Sequence, residues 1–421
     1  MAVVADWKVS PNLALNQLVA ERRAGDEFLV HLAFGEARLP AFAPLVEQLA
    51  AGAGRNAYGP VAGGLAVRTE VAGYFRRRRL PTDPDQIVVA PGSKPLLLAV
   101  QHVVPGDVLL PRPAWNTYAP QARLAGKEAI GVPIPAGFGG VPEPVALRAA
   151  IAAARTRGQD PRIVVLTLPD NPTGTIAPPE TVREICEIAR EHNLLIVSDE
   201  IYRDVMHDPA TPLLSPAEVA PERTVVTGGL SKSLALGGWR IGMARFPEGE
   251  WGERIRASVI SVASEVWSVL AGPMQQVAEY AFAEPAELRE RLAATNRLHG
   301  AVARAVHRIM VSAGASCRPP TGGFYVYPDF EPVRDVLAAR GATDSASLAR
   351  FLLDTFGIVV LAGHHLGDSP QALRFKAATS MLYGDTAQEQ SLALASADPI
   401  ALPHVSRLLE RIEDSFAKLS S

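Results

Sequence analysis

The chain has 421 residues, a net charge of −3, and 48% hydrophobic against 20% charged residues. That balance excludes a disordered chain and leaves no global field to recruit nucleic acid or an anionic membrane. No apolar run approaches the roughly 18 residues that cross a bilayer, no signal-peptide core opens the sequence, and Cys186 and Cys317 form neither a disulfide framework nor a zinc ligand set. The expectation is a cytoplasmic enzyme without a metal.

In chain order, residues 13–23 predict a short helix with no domain of its own. From about 86 to 246 short β-rich runs alternate with helical stretches. Strands are predicted at 86–90, 107–110, 162–168, 194–198, 223–227 and 240–246, with helices at 95–104, 144–157 and 179–192. The runs are apolar without alternation, so the strands are buried on both faces, as in a largely parallel α/β sheet. Beyond this block the pattern changes to a long helix over 285–314, a β-like segment at 323–327, a helix at 346–356, strands at 358–362 and 373–377, and a closing helix at 403–418. That composes a smaller α+β domain, onto which the first 40 or so residues pack.

Only six of the 41 cationic side chains are lysine. A lysine kept in an apolar or Gly-rich setting therefore suggests chemistry that arginine cannot perform. Lys232 lies in Gly228-Gly229-Leu230-Ser231-Lys232-Ser233, just after a predicted strand, with Arg240 eight residues on. An amine held there beside Arg240 has a lowered pKa and suits Schiff-base chemistry; a surface loop lysine gives the same pattern. Asn171-Pro172-Thr173-Gly174 and Ser198-Asp199-Glu200-Ile201-Tyr202 each follow a strand, at the carboxyl ends where open parallel sheets bind ligands. An Asp in that position needs a cationic or protonated partner, or it caps a helix. Pro91-Gly92-Ser93-Lys94-Pro95 joins a strand to a helix, with Pro95 at the first helical position, and its backbone N–H groups make a phosphate seat. The spacing matches neither a P-loop nor a Rossmann fingerprint.

Together, Lys232 with Arg240, NPTG, SDEIY, the GSK after a strand, and Asn56-Ala57-Tyr58-Gly59 resemble the class I/II, fold-type-I pyridoxal-phosphate aminotransferases, nearest the aspartate-aminotransferase-like subgroup, from about residue 9 to 377. The resemblance implies a mostly parallel seven-stranded sheet flanked by helices. It implies an N-terminal arm and part of the small domain over 1–45, a large cofactor-binding domain over 46–290 and a C-terminal small domain over 291–421. It implies pyridoxal 5'-phosphate, with Lys232 as its Schiff-base lysine and proton-moving base. Asp199 would hold the ring nitrogen protonated, Asn171 and Tyr202 the phenolic oxygen, and Trp115 the ring face. Ser93, Lys94, Ser231 and Arg240 would hold the phosphate, with Tyr58 reaching that of the neighbouring subunit in a homodimer. Arg374 would clamp the carboxylate of the amino-acid or 2-oxo-acid substrate, with Asn171 and the Gly35 backbone beside it.

Three stretches depart from the family: Gly35 to Pro40 is shorter than usual, His364-His365 stand where an aromatic is common, and 380–403 is longer. These are substrate-side segments, so elimination, replacement, cyclisation or oxidation of an amino acid stays open beside transamination. His364 and His365 read as substrate contacts or plain loop residues rather than a metal pair. Arg76 to Arg79 read as a solvated surface that pairs with acidic groups, and Cys186 as core. Lys94 has a second reading, as a partner for a distal substrate carboxylate, and Lys376 shares a strand face with Arg374.

Overall fold

The computed structural model describes residues 9–135 and 137–420. Val30–His31 forms β1. Seven strands follow in the first block: Ile87–Ala90 (β2), Asp107–Arg112 (β3), Ala129–Pro133 (β4), Pro161–Thr167 (β5), Leu195–Asp199 (β6), Thr224–Gly229 (β7) and Gly242–Arg245 (β8). They make one sheet in the order β2-β8-β7-β6-β5-β3-β4. Every neighbouring pair is parallel except those of β8, which runs antiparallel to β2 and β7.

The unalternating apolar runs do what their composition requires. Ile163, Val165, Leu195 and Val197 enter one core, while Val164, Leu166 and Ile196 enter the core on the opposite face. Helices cover both faces. Pro179–His192 shows the local logic: Pro occupies its first turn with Glu180, its inner stripe includes Val182, Ile185, Cys186 and Ala189, and Asn193 ends it in the left-handed region at φ 55°.

The second layer has its own core. Tyr325–Val326 (β9), Leu361–Ala362 (β11) and Phe375–Ala378 (β12) form an antiparallel sheet in the order β11-β12-β9, and Ile358–Val359 (β10) pairs in parallel with β1. Phe330 stacks on Phe375 and on Phe416, each at 5.7 Å, beneath the helices Ala286–Ser312 and Pro403–Ser420. Among the described residues no helix is long and apolar enough to cross a membrane.

Four differences from the expected elements bear on the site. The helix after Gly92 begins at Ser93, which makes Pro95 its third residue. Arg240 is not in a strand but sits in a left-handed turn at φ 56°, ahead of β8. The apolar run 358–362 is two strands in two sheets, because the chain leaves β1 and joins β12 after Val360. Helices Gly249–Val266 and Gly272–Ala283 fill a stretch for which no element was expected.

Candidate active site

A cavity of about 410 Å³ opens at the carboxyl ends of β5, β6 and β7. One end is an anion cradle. Gly92 turns the chain at φ 90° into the helix Ser93–Val103, whose first N–H groups have no partner in their own helix. A Cβ on Gly92 would come within 2.4 Å of Arg240 Nη2, and one on Gly242 within 2.2 Å of the Gly92 carbonyl carbon. Two glycines thus let Arg240 and the helix start close on the same space. Ser93, Lys94, Ser231 and Arg240 all line it. Burial and Arg240 lower the Lys94 pKa.

The floor is Asp199, the last residue of β6. It is 2% exposed and flanked in the sheet by Thr167 and Thr227. Its Oδ2 accepts from the Tyr118 hydroxyl at 2.8 Å, and its Oδ1 from the Ile201 N–H and the Thr227 hydroxyl at 3.3 and 3.4 Å. Burial raises this carboxyl to about 6, against those hydrogen bonds. Among the described residues it has no cationic partner, so a protonated group that arrives in the cavity meets a carboxylate in need of one. Trp115 lines the wall above, edge-on to Tyr118 with ring centres 5.3 Å apart.

Lys232 enters from the loop after β7. Its Nζ donates to the Gly35 carbonyl at 2.5 Å, and burial lowers the amine to about 8, with Arg240 and Lys94 adding to the fall. The Tyr202 hydroxyl bonds the Tyr325 hydroxyl at 2.5 Å and accepts from Asn171 Nδ2 at 3.5 Å. Buried Asn171 Oδ1 has no partner among the described residues, a polar atom left for a ligand to satisfy. An anion cradle, an aromatic wall, a needy carboxylate, an unsatisfied amide and a low-pKa amine together suit a planar phosphorylated ring that carries a basic nitrogen and an aldehyde.

Each residue expected in the site lines this cavity except Tyr58 and Arg374. Tyr58 is 89% exposed on the surface of the chain. Arg374, expected to clamp the carboxylate, pairs with two acidic side chains outside the cavity lining. Its Nε donates to Asp329 at 2.9 Å and its Nη1 to Asp368 at 3.3 Å, so its charge is already matched. Lys376, two residues on, lines the cavity instead. His364 and His365 do not line it; His364 Nδ1 pairs with the Ser345 hydroxyl at 2.8 Å, and burial with His364 nearby lowers His365 to about 4. Among the described residues no three His, Cys, Asp or Glu side chains gather as metal ligands. Tyr118 is a site residue for which the sequence reading assigned no role. Its signal was a tyrosine three residues after Trp115, at the first position of the helix Tyr118–Leu124.

A seven-stranded sheet of this order, with a lysine after β7 sharing a cavity with a buried carboxylate at the end of β6, is the arrangement expected of the fold-type-I aminotransferases. The chain belongs to that family: residues 31–382 match aminotransferase class I and II. It is 31% identical over 375 residues to the aspartate/prephenate aminotransferase of Thermus thermophilus, covering 86% of this chain and 89% of the relative. It is 30% identical over 404 residues to the aspartate aminotransferase of Geobacillus stearothermophilus, covering 92% and 96%. The structure of the Thermus thermophilus aspartate aminotransferase with maleate matches 99% of this chain and 100% of its own, at TM-score 0.82 and 25% identity. The chain is therefore an enzyme that transfers amino groups, and transamination stands over the elimination, replacement, cyclisation or oxidation left open by the altered loops.

Proposed function

We propose that the chain uses pyridoxal 5'-phosphate, held by Lys232, Asp199, Asn171, Tyr202, Trp115, Ser93, Lys94, Ser231 and Arg240, to move an amino group between an amino acid and a 2-oxo acid. The observation that carries this reading is the lowered amine of Lys232 in the same cavity as the buried, cation-free carboxylate of Asp199. Bound pyridoxal phosphate supplies an aldehyde that accepts the amine and a ring that draws electrons from the reacting carbon.

The chain's own groups then have distinct work. Asp199 keeps a proton on the ring nitrogen by charge. Asn171 and Tyr202 orient the ring oxygen, and the helix start at Ser93 with Arg240 takes the phosphate. Lys232 Nζ, near 8, is poised to take a proton from the substrate carbon and return it one position away. An acidic substrate is favoured by the positive wall that Lys94 lends the cavity and by the names of the relatives.

Tyr58, exposed beyond its own cavity, suits a homodimer in which it serves the neighbouring phosphate. The division into an arm (1–45), a large domain (46–290) and a small domain (291–421) is supported by the cores: one gathers residues 30–39 with 298–419, another 45–288.

The test is a half-reaction. Purified protein loaded with pyridoxal phosphate is mixed with single amino acids and the cofactor absorbance is followed. A donor should convert the bound cofactor to its amine form, and a 2-oxo acid should restore it. Lys232→Ala should lose the covalent absorbance band and turnover together; a variant that kept both would refute the assignment.

A further inference from the structure

The roles above leave one hydroxyl of the cavity without a task. Tyr325 on β9 lines the cavity, and both it and Tyr202 are almost fully buried. Their rings meet edge to face with centres 5.5 Å apart, and their hydroxyl oxygens lie 2.5 Å apart. Tyr202 has one further neighbour, Asn171 Nδ2, which donates to it at 3.5 Å. The Tyr325 hydroxyl has no second partner among the described residues. The backbone of Gly35 is packed against it: a Cβ there would stand 2.1 Å from the Tyr325 oxygen, so the absence of a side chain at 35 is what admits the hydroxyl.

A phenol has one proton to give and lone pairs to accept with. Burial pushes both phenols up, so each keeps its proton. The pair can then run in two directions. If Tyr202 donates to Tyr325, the Tyr325 proton has no acceptor, and a buried donor is left unsatisfied. If Tyr325 donates to Tyr202, the Tyr202 proton is free for an acceptor in the cavity, and both donors are used. The charged groups around the pair do not alter this count. Lys376 on β12 and Lys232 after β7 lie over the faces of Tyr325 and Tyr202, 5.2 and 6.0 Å from the ring centres, and bond neither hydroxyl. Asp199 at the end of β6 and Asp170 ahead of Asn171 act on the phenols by charge, with their own hydrogen bonds made elsewhere.

We propose that Tyr325 is a positioning residue for the cofactor: it donates to Tyr202 and so commits the Tyr202 proton to the ring oxygen. This rests on the cofactor reading above, which puts that oxygen at Tyr202 and Asn171. A hydroxyl that accepts one strong bond donates a stronger one, so removal of the Tyr325 oxygen is felt at the ring through Tyr202.

The test is a pH titration of the visible absorbance of the cofactor-loaded protein from pH 5 to 10, without substrate. A donor to the ring oxygen stabilises its anionic form, so weakening that donor should move the midpoint up. Y202F should raise it by about one unit or more. Y325F, which removes a single buried atom, should raise it by about half a unit. Because Tyr325 acts through Tyr202, the double variant Y202F/Y325F should match Y202F to within about 0.2 unit. An unchanged midpoint in Y325F overturns the proposal. A lowered one does so too, since it would mean that Tyr202 spends its proton on Tyr325. A shift from Y325F that is as large in the Y202F background as in wild type would mark a merely structural role and also overturns it. Absence of the cofactor band in wild type would instead refute the cofactor reading, so the two failures are distinct.

Discussion

Tyr118 and Asp199 show how one residue prepares another. The Tyr118 hydroxyl at 2.8 Å is the shortest of the bonds to the Asp199 carboxylate, and it favours the charged form that a protonated ring nitrogen requires. Tyr118→Phe should weaken pyridoxal phosphate binding about tenfold, and Asp199→Ala about a hundredfold or more, consistent with about 1.5–3 kcal/mol for a bond to a charged group plus the lost ion pair; titration of the apoprotein followed by absorbance measures both. Lys232 sets a pH dependence. An amine near 8 is mostly protonated below that value and neutral above it. Uptake of pyridoxal phosphate by the apoprotein needs the neutral amine, so its rate should climb from pH about 6 to about 8 and flatten beyond. A rate that did not change across that interval would contradict it. Asp199, Asn171 and Lys232 were legible in the sequence because each follows a recognisable strand. Lys376 and Arg374 were not legible in the same way: both fall on one face of the predicted strand, and that Lys376 lines the cavity while Arg374 pairs with Asp329 and Asp368 depends on positions no local pattern encodes.

At the scale of elements, the four-arginine run is more than the solvated surface the sequence suggested. Arg78 is largely buried and joins Asp204 and Glu284, while Arg77 also binds Glu284, so the end of the helix Leu65–Arg77 is tied to the end of Gly272–Ala283. The expected pairing with acidic groups is present, but on an inner seam. Arg78→Ala strips two poorly exposed carboxylates of a cation and should cost about 3–5 kcal/mol in chemical denaturation. A loss of under about 1 kcal/mol would mark the seam as a surface pair. Gly242→Ala would drive a methyl group into the Gly92–Ser93 peptide and should part β8 from β2, at about 1–3 kcal/mol and with weaker phosphate binding. Strand and helix types were readable from apolar runs and from Pro and Glu at helix starts. Partners were not: the run 358–362 carries nothing local to say that Ile358 pairs with Val30 and Leu361 with Lys376.

For the whole molecule, the exposed Tyr58 makes a prediction about assembly. If it completes the neighbouring site, a mixture of Tyr58→Ala and Lys232→Ala chains should recover activity that neither has alone. Random pairing would yield about a quarter of the wild-type rate, because half the dimers would carry one intact site. Sedimentation should show a dimer before mixing, and a mixture that stays inactive after confirmed subunit exchange would count against a shared site. The seven-stranded sheet and the smaller second layer were both legible, since they follow from how apolar runs and helices alternate. The meeting of residues 30–39 with 298–419 in one core was less so, because it depends on contacts across nearly the whole chain.

That meeting has a consequence for the order of events on the ribosome. β1 emerges early, yet its hydrogen-bonding partner β10 is among the last segments translated. At roughly 5–20 residues per second, Val30 and His31 wait on the order of 15–65 s for Ile358 and Val359. Leu32 and Leu39, which belong to the same core, wait with them. The large sheet can close in that interval, while a sticky, unpaired edge trails from its front. Newborn chains should therefore be most vulnerable to misassociation late in elongation, and a translational pause just before codon 358 would prolong the hazard.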